Sequence, residues 1–535
     1  MKCERTTATA SIESALRQKS VDISNQTGVH EGVGVEDAVN LSRRRTIIVC
    51  VALGIGLINL CLIMPVQGFI FSLQFSVCLA LLTLVGFRWW TRPVHPGVFG
   101  YFSPHTIILL NGFFFFGVGN LAPLILPEQV VINYGATDYY LPMLAFIVAG
   151  LAVFDGVYRV VVSWFSLNGY IERGLRNFFT PGVQNVIPLY AVLAYLLCWA
   201  LFLYMTGAYM FQQFSFSGAV SEMDNIFARS SFLMLSLTFC LMGILFFKRK
   251  NAAARILVIV GFLSFFPIFF AYQSRKLLIC TLLVLVVIYM LYYRERLKMR
   301  WVLMGGIFLL LGFLIISIVK MTRLRDPSIG RFLTEEKNIF TRADKIITSE
   351  EFTNIQNLKF ILLLNAKKRI AALDFPSAIM DAHISNGIPL MYGEHNLLGA
   401  ATIIPRVIWP GKPRGEMEGL IVRHYELSHR DQQTTLFASA YADWGIVGIL
   451  GCGAFLAVFF GAVLRVILIR KDGILVYLLA LYVLLSRFQS PLFMSTLYWL
   501  RWVLIIMVLN TIVYCIYKLF MPHQVAPQST GGGDR

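Results

Sequence analysis

The feature that most restricts this chain is a succession of about twelve apolar runs, each close to 20 residues long, joined by short polar segments. A helix rises 1.5 Å per residue, so a run of ~20 residues crosses the ~30 Å of hydrocarbon in a bilayer. The runs fall at approximately 46–64, 66–87, 105–126, 139–165, 187–210, 231–247, 253–272, 277–293, 301–319, 437–468, 474–487 and 492–519. With 57% hydrophobic and only 14% charged residues, the chain reads as embedded in lipid, not as a soluble protein with a large core. The expected fold class is an all-α polytopic membrane protein with about twelve transmembrane helices.

A formal charge of +17 invites a nucleic-acid reading, but the basic residues sit mostly in short joints between apolar runs. That distribution is the signature of membrane orientation, so no nucleic-acid partner is expected. Arg43 to Arg45, Arg88 with Arg92, Arg173 with Arg176, Lys248 to Lys250, Arg294 to Arg300, and Arg470 with Lys471 fall in every second joint. These joints are assigned to the cytoplasm, which puts both termini inside and the interval 320–436 outside. The expected organisation is a disordered cytoplasmic tail over 1–45, transmembrane helices 1–9 over 46–319 and a large extracytoplasmic loop over 320–436. Helices 10–12 over 437–520 and a loose tail over 521–535 complete it. The N-terminal tail is no signal peptide, because the apolar run after Arg45 is too long for an h-region. Of nine cysteines, all but Cys3 lie in apolar runs, so neither a disulfide framework nor a cysteine metal site is expected in the loop.

The large loop is too long to be a connector and calls for structure of its own. Ile355, Leu358, Leu362, Ala366, Ile370 and Leu373 recur at helical spacing, which predicts an amphipathic helix on the outer leaflet or over the bundle. A second apolar run, Leu397 to Ile404, leads into IPRVIWPGKPR at 404–414. Pro405, Pro410 and Pro413 each fix φ and remove a donor, so no regular element runs through it. Arg406, Lys412 and Arg414 place positive charge there, and Trp409 suits a membrane–water boundary as an anchor. Two further arginines break the orientation pattern on the same outer side: Arg275 after the seventh run and Arg487 after the eleventh. Arginines bind phosphate through a bidentate fork, and several at one depth would hold a diphosphate without a metal. Lys276 and Arg501 are read instead as snorkelling to headgroups.

The pairing of IPRVIWPGKP (404–413) with Tyr441-Ala442-Asp443-Trp444-Gly445-Ile446-Val447-Gly448 resembles the bacterial oligosaccharide repeat-unit polymerases, the Wzy class. Ser274-Arg275 after the seventh run is similar to them as well. In that family Glu-x-Tyr-x-Asn often precedes the aromatic–Gly pair; Ser439 and Asp443 stand here at the Glu and Asn positions. The resemblance implies a GT-C-like enzyme of the bacterial inner membrane, active at its periplasmic face. The family transfers a growing glycan from undecaprenyl diphosphate onto the next lipid-linked repeat unit, building O-antigen, capsule or exopolysaccharide without a cofactor. A flippase and a chain-length regulator are the implied partners, beside the lipid-linked glycan and the bilayer.

Such a transfer needs a grip on the leaving diphosphate and a base for the attacking hydroxyl. Arg275, Arg406, Lys412, Arg414 and Arg487 are the diphosphate candidates. For the base, His395, Asp443 and Glu394 stay open; the loop also holds His383, His424 and His429. Asp381 with His383 could ligate a metal, but no third ligand accompanies them, so none is expected. Displacement of an anomeric phosphate by a single base predicts inversion. Two other readings are kept. A lipid-linked glycan ligase would share the architecture and the arginines. A transporter would show ionisable groups at mid-membrane and symmetric broken helices.

Overall fold

The computed structural model describes residues 41–120, 136–209, 222–265, 275–293, 372–401, 409, 417–427, 435–487 and 492–520. Among them every regular element is helical. Helices α1 (Leu41–Gln67) and α2 (Phe69–Gly86) form a hairpin. Then come α3 (Pro104–Gly112), which widens into a π-helical turn at Phe113–Gly117, α4 (Tyr140–Trp164), α5 (Leu167–Phe178) and α6 (Pro181–Tyr209). Helices α7 (Glu222–Lys248), α8 (Ala252–Leu263) and α9 (Arg275–Tyr293) follow. After the undescribed interval lie α10 (Asp374–Ile384), α11 (Glu394–Ala401), α12 (Met417–His424), α13 (Leu436–Leu468), α14 (Gly473–Arg487) and α15 (Leu492–Phe520).

Among the described residues, six helices are long and apolar enough to cross a membrane: α1, α2, α4 with its preceding turn, α6, α13 and the Trp499–Phe520 part of α15. The chain is an α-helical membrane protein. All the apolar runs except 301–319, which lies outside the described residues, coincide with described helices in whole or part. Several are shorter than expected; α8, for one, stops at Leu263. The joint expected at Pro65 falls at Gly68, whose φ of 79° turns the chain, while α1 runs through the proline. The amphipathic helix expected over 355–373 lies almost wholly outside the described residues.

Helices α4 and α13 form the centre. Both carry glycine where they meet: a Cβ on Gly453 would collide with the Gly150 carbonyl, and one on Gly150 would stand 2.8 Å from Ile449 Cγ2. Small residues let two backbones approach closely, which is how helices associate where lipid offers no hydrophobic drive. Around this pair, α2 packs on α4, α6 on α7, and α14 on α15.

Cross-bundle contacts separate two ends. At one, Gly174 of α5 faces Ile474 at the start of α14 and Leu468 at the end of α13. There Phe178 meets Tyr292 near the end of α9 edge-on, and the Tyr477 hydroxyl donates to the Phe102 carbonyl at 2.7 Å. This end also holds a charged knot. Asp155 is fully buried and bridged by Arg88 (2.8 Å), His105 (2.8 Å) and Arg159 (2.9 Å). Beside it His95 bonds Asn168 Oδ1 at 2.9 Å and the Tyr158 hydroxyl at 3.0 Å.

The opposite end receives the chain that follows residue 371. Asn120 Oδ1 accepts the Leu373 N–H at 2.9 Å, the Tyr140 hydroxyl donates to Asp374 at 3.3 Å, and Tyr139 and Ser385 share a 2.8 Å bond. The starts of α4, α10 and α13 lie here, together with α11, which packs on α13 and α15.

Candidate functional site

The site begins with a break in α13. Apart from Ser439, Asp443 and Arg465, residues 436–468 are apolar or glycine, yet Gly445 takes φ 59° and ψ −140°, outside the helical region. The break divides a short segment, Leu436–Trp444, from Ile446–Leu468. The second piece, at 1.5 Å per residue, is about 34 Å long and crosses ~30 Å of hydrocarbon by itself. Helix breaks free carbonyls, which must find partners when buried. Ala442 O finds two, the Met391 N–H at 2.9 Å and the Tyr425 hydroxyl at 2.8 Å. The Tyr441-to-Gly448 stretch is thus the hinge where the chain of 388–396 is sewn onto α13.

Next to the break, Asp443 is fully buried and faces the N-terminus of α11. Its carboxylate accepts the N–H of His395 at 3.1 Å and of Asn396 at 2.8 Å. A carboxylate there satisfies orphan donors and complements the helix dipole. One turn earlier on the same face, Ser439 Oγ lies 2.9 Å from His395 Nδ1 and 3.2 Å from Asn396 Oδ1.

These bonds favour one tautomer of His395. The Ser439 hydroxyl faces Asn396 Oδ1, an amide oxygen, which can only accept. The single Ser439 hydrogen goes to that oxygen, so Ser439 accepts from His395 Nδ1–H. A neutral His395 therefore carries its lone pair on Nε2. His395 and Ser439 are fully buried, while Glu394 is exposed at the first turn of α11.

Of the expected site residues, His395, Glu394 and Asp443 come together. Arg275 opens α9 and Arg487 closes α14, two helices that pack on each other. Their far ends, at Tyr292 and Ile474, lie with Phe178 and Gly174 at the other pole, so Arg275 and Arg487 belong to the pole of the α13 break. Their side chains lie outside the described part, as do Arg406, Lys412 and Arg414. Trp409 is described and is 40% exposed. The other loop histidines bond to backbone: His383 Nδ1 to Ile388 O at 2.7 Å, and His424 Nε2 to Pro389 O at 2.7 Å. His429 is outside the described residues.

Sequence reasoning did not assign Asn396 or Ser439 to the site; the i, i+4 spacing of Ser439 and Asp443 is the signal that could have paired them. The Asp155 knot was also missed. A lone acid inside an apolar run, with Arg159 four residues on, was its mark. No protein-family model, no curated protein and no solved structure matches the chain.

Proposed function

We propose that this protein polymerises undecaprenyl-diphosphate-linked oligosaccharide repeat units at the periplasmic face of a bacterial inner membrane. The observation that carries the reading is the meeting of His395, the favoured base, with Ser439 and Asp443 of the polymerase-like motif, across 44 and 48 residues. Arg275 and Arg487 share that end of the bundle, which supports a grip on diphosphate beside a base.

In the proposed step, His395 Nε2 takes the proton of the acceptor sugar hydroxyl. The freed oxygen bonds to the anomeric carbon of the growing glycan. The bond from that carbon to the carrier's phosphate oxygen breaks, and its electron pair leaves with undecaprenyl diphosphate. Attack from the face opposite the leaving group inverts the anomeric centre. Arg275, Arg406, Lys412, Arg414 and Arg487 would meet the charge that develops on the diphosphate. Asp443 is less suited to be the base, because its two oxygens already accept the His395 and Asn396 N–H bonds. Glu394, exposed at the first turn of α11, remains the alternative base. Because His395 is fully buried, the reading requires its cover to open when the acceptor binds.

Reconstitution tests this. Purified protein in nanodiscs, given purified lipid-linked repeat, should yield a ladder of glycans, one undecaprenyl diphosphate per new linkage, with chelator present. Arg406→Lys keeps charge but loses the fork, and should shorten the ladder. Transfer of a finished glycan to a lipid core, without a ladder, would favour a ligase. Movement of intact lipid-linked glycan across the bilayer without any new linkage would favour a transporter, and loss of all activity with chelator would overturn the metal-free step.

A further inference from the structure

Directly over the buried network, two backbone segments adopt conformations that side chains normally avoid, and each presents an aromatic ring. Tyr392 has φ 48° and Gly393 φ 95° on one side; Gly445, with φ 59°, follows Trp444 on the other. The segments are clasped together. Met391 N–H bonds Ala442 O at 2.9 Å, and a Cβ on Gly393 would stand 2.9 Å from Trp444 Cζ2, so the indole lies against a position only glycine can fill. What these strained turns hold up is not buried. Tyr392 is 67% exposed and Trp444 49% exposed. Their rings stand 6.3 Å apart at 81°, forming a corner of two walls.

We propose that Tyr392 and Trp444 form a stacking corner for a sugar ring of the acceptor glycan. The proposal rests on the polymerase reading and names the part of the substrate this corner takes. One face of a pyranose is lined with weakly positive C–H groups and fits the negative face of an aromatic ring, while its hydroxyls point outward. The corner supplies two such faces. Tyr392 stands three residues before His395 and Trp444 directly follows Asp443, so both walls of the corner adjoin the buried network in the chain. Tyr and Trp are also usual at membrane boundaries, but an anchor gains nothing from a tyrosine held at positive φ. Sparsely populated backbone conformations persist where the surroundings over-determine them, and a ring that must stand at a set angle gives that a purpose. The corner is a positioning and specificity device, not part of the proton transfer.

The test uses the full-length protein in nanodiscs. Its probe is the water-soluble oligosaccharide released from the lipid-linked repeat by mild acid. Titration should change the tryptophan emission to saturation in the native protein and leave it unchanged in Trp444→Phe. In the polymerisation assay, Tyr392→Ala and Trp444→Ala should each raise the KM for the acceptor about tenfold with little change in kcat, the scale of one lost stacking contact. Tyr392→Phe, which keeps the ring, should stay near the native KM and shows that the alanine effect is not misfolding. An unaltered acceptor KM in both alanine variants would overturn the corner, as would quenching of Trp444 by brominated lipid with no response to the glycan. Should the native protein make no polymer yet bind the oligosaccharide through Trp444, the polymerase reading fails and the corner stands.

Discussion

At the scale of single residues, the neighbouring Asp443 and His395 have different tasks. Asp443 holds α11 by accepting N–H bonds, so Asp443→Asn should act on stability first. An amide has only one accepting oxygen, and its NH2 would face a backbone donor, leaving a buried donor unmatched at about 1–3 kcal/mol. The expected result is a lower thermal midpoint in detergent, with activity falling because His395 loses its seat. An unchanged midpoint with abolished activity would move the base role to Asp443. At the other pole, His95 carries a pH signature. Burial, opposed by its bond to Asn168 and reinforced by His105, lowers its pKa from 6.5 to about 4. Between those values the unfolded chain takes up a proton that the folded one refuses, so stability falls as pH drops from about 6.5 to about 4. The full loss is on the order of 3 kcal/mol. Thermal unfolding at pH 7 and pH 5 should show a larger drop in the native protein than in His95→Gln, and equal drops would contradict the assignment.

At the scale of elements, the hydrophobic pattern made the helices legible but not their interruptions. The apolar pattern resumes after Gly445, and hydrophobic periodicity alone does not announce the break. Its cause is tertiary, because Met391 and Tyr425 take the freed Ala442 carbonyl. His395 and Asp443 could be singled out because each is polar beside an apolar run. The Ser439–Asn396 bond spans 43 residues between two common residue types, so no spacing rule exposes it. The inner knot was hidden for another reason: Arg88 had an explanation already, as an orienting charge. Its partner makes it more than that. Asp155 ties the joint after α2, the start of α3 and the middle of α4 together. Asp155→Asn leaves Arg159 uncompensated beside an apolar core, a loss of about 3–5 kcal/mol where a buried pair is broken. The yield of monodisperse protein in detergent should fall sharply, while Arg173→Ala, an exposed cation on α5, should leave it near the native level.

At the scale of the molecule, the two poles carry different chemistry, and the functional reading depends on which one faces outward. The alternation of basic joints predicts that cysteines introduced near residues 250, 298 and 471 label from the cytoplasm and one near 380 from the periplasm. Labelling at 380 from the cytoplasm alone would place the α13 break on the wrong side for a lipid-linked glycan awaiting polymerisation. The most direct test of the whole account is His395→Ala in the reconstituted reaction. If His395 is the base, the variant binds the lipid-linked repeat as the native protein does but joins repeats about 10²–10⁴-fold more slowly. A His395→Ala protein that builds the full ladder at the native rate would contradict the account at its centre.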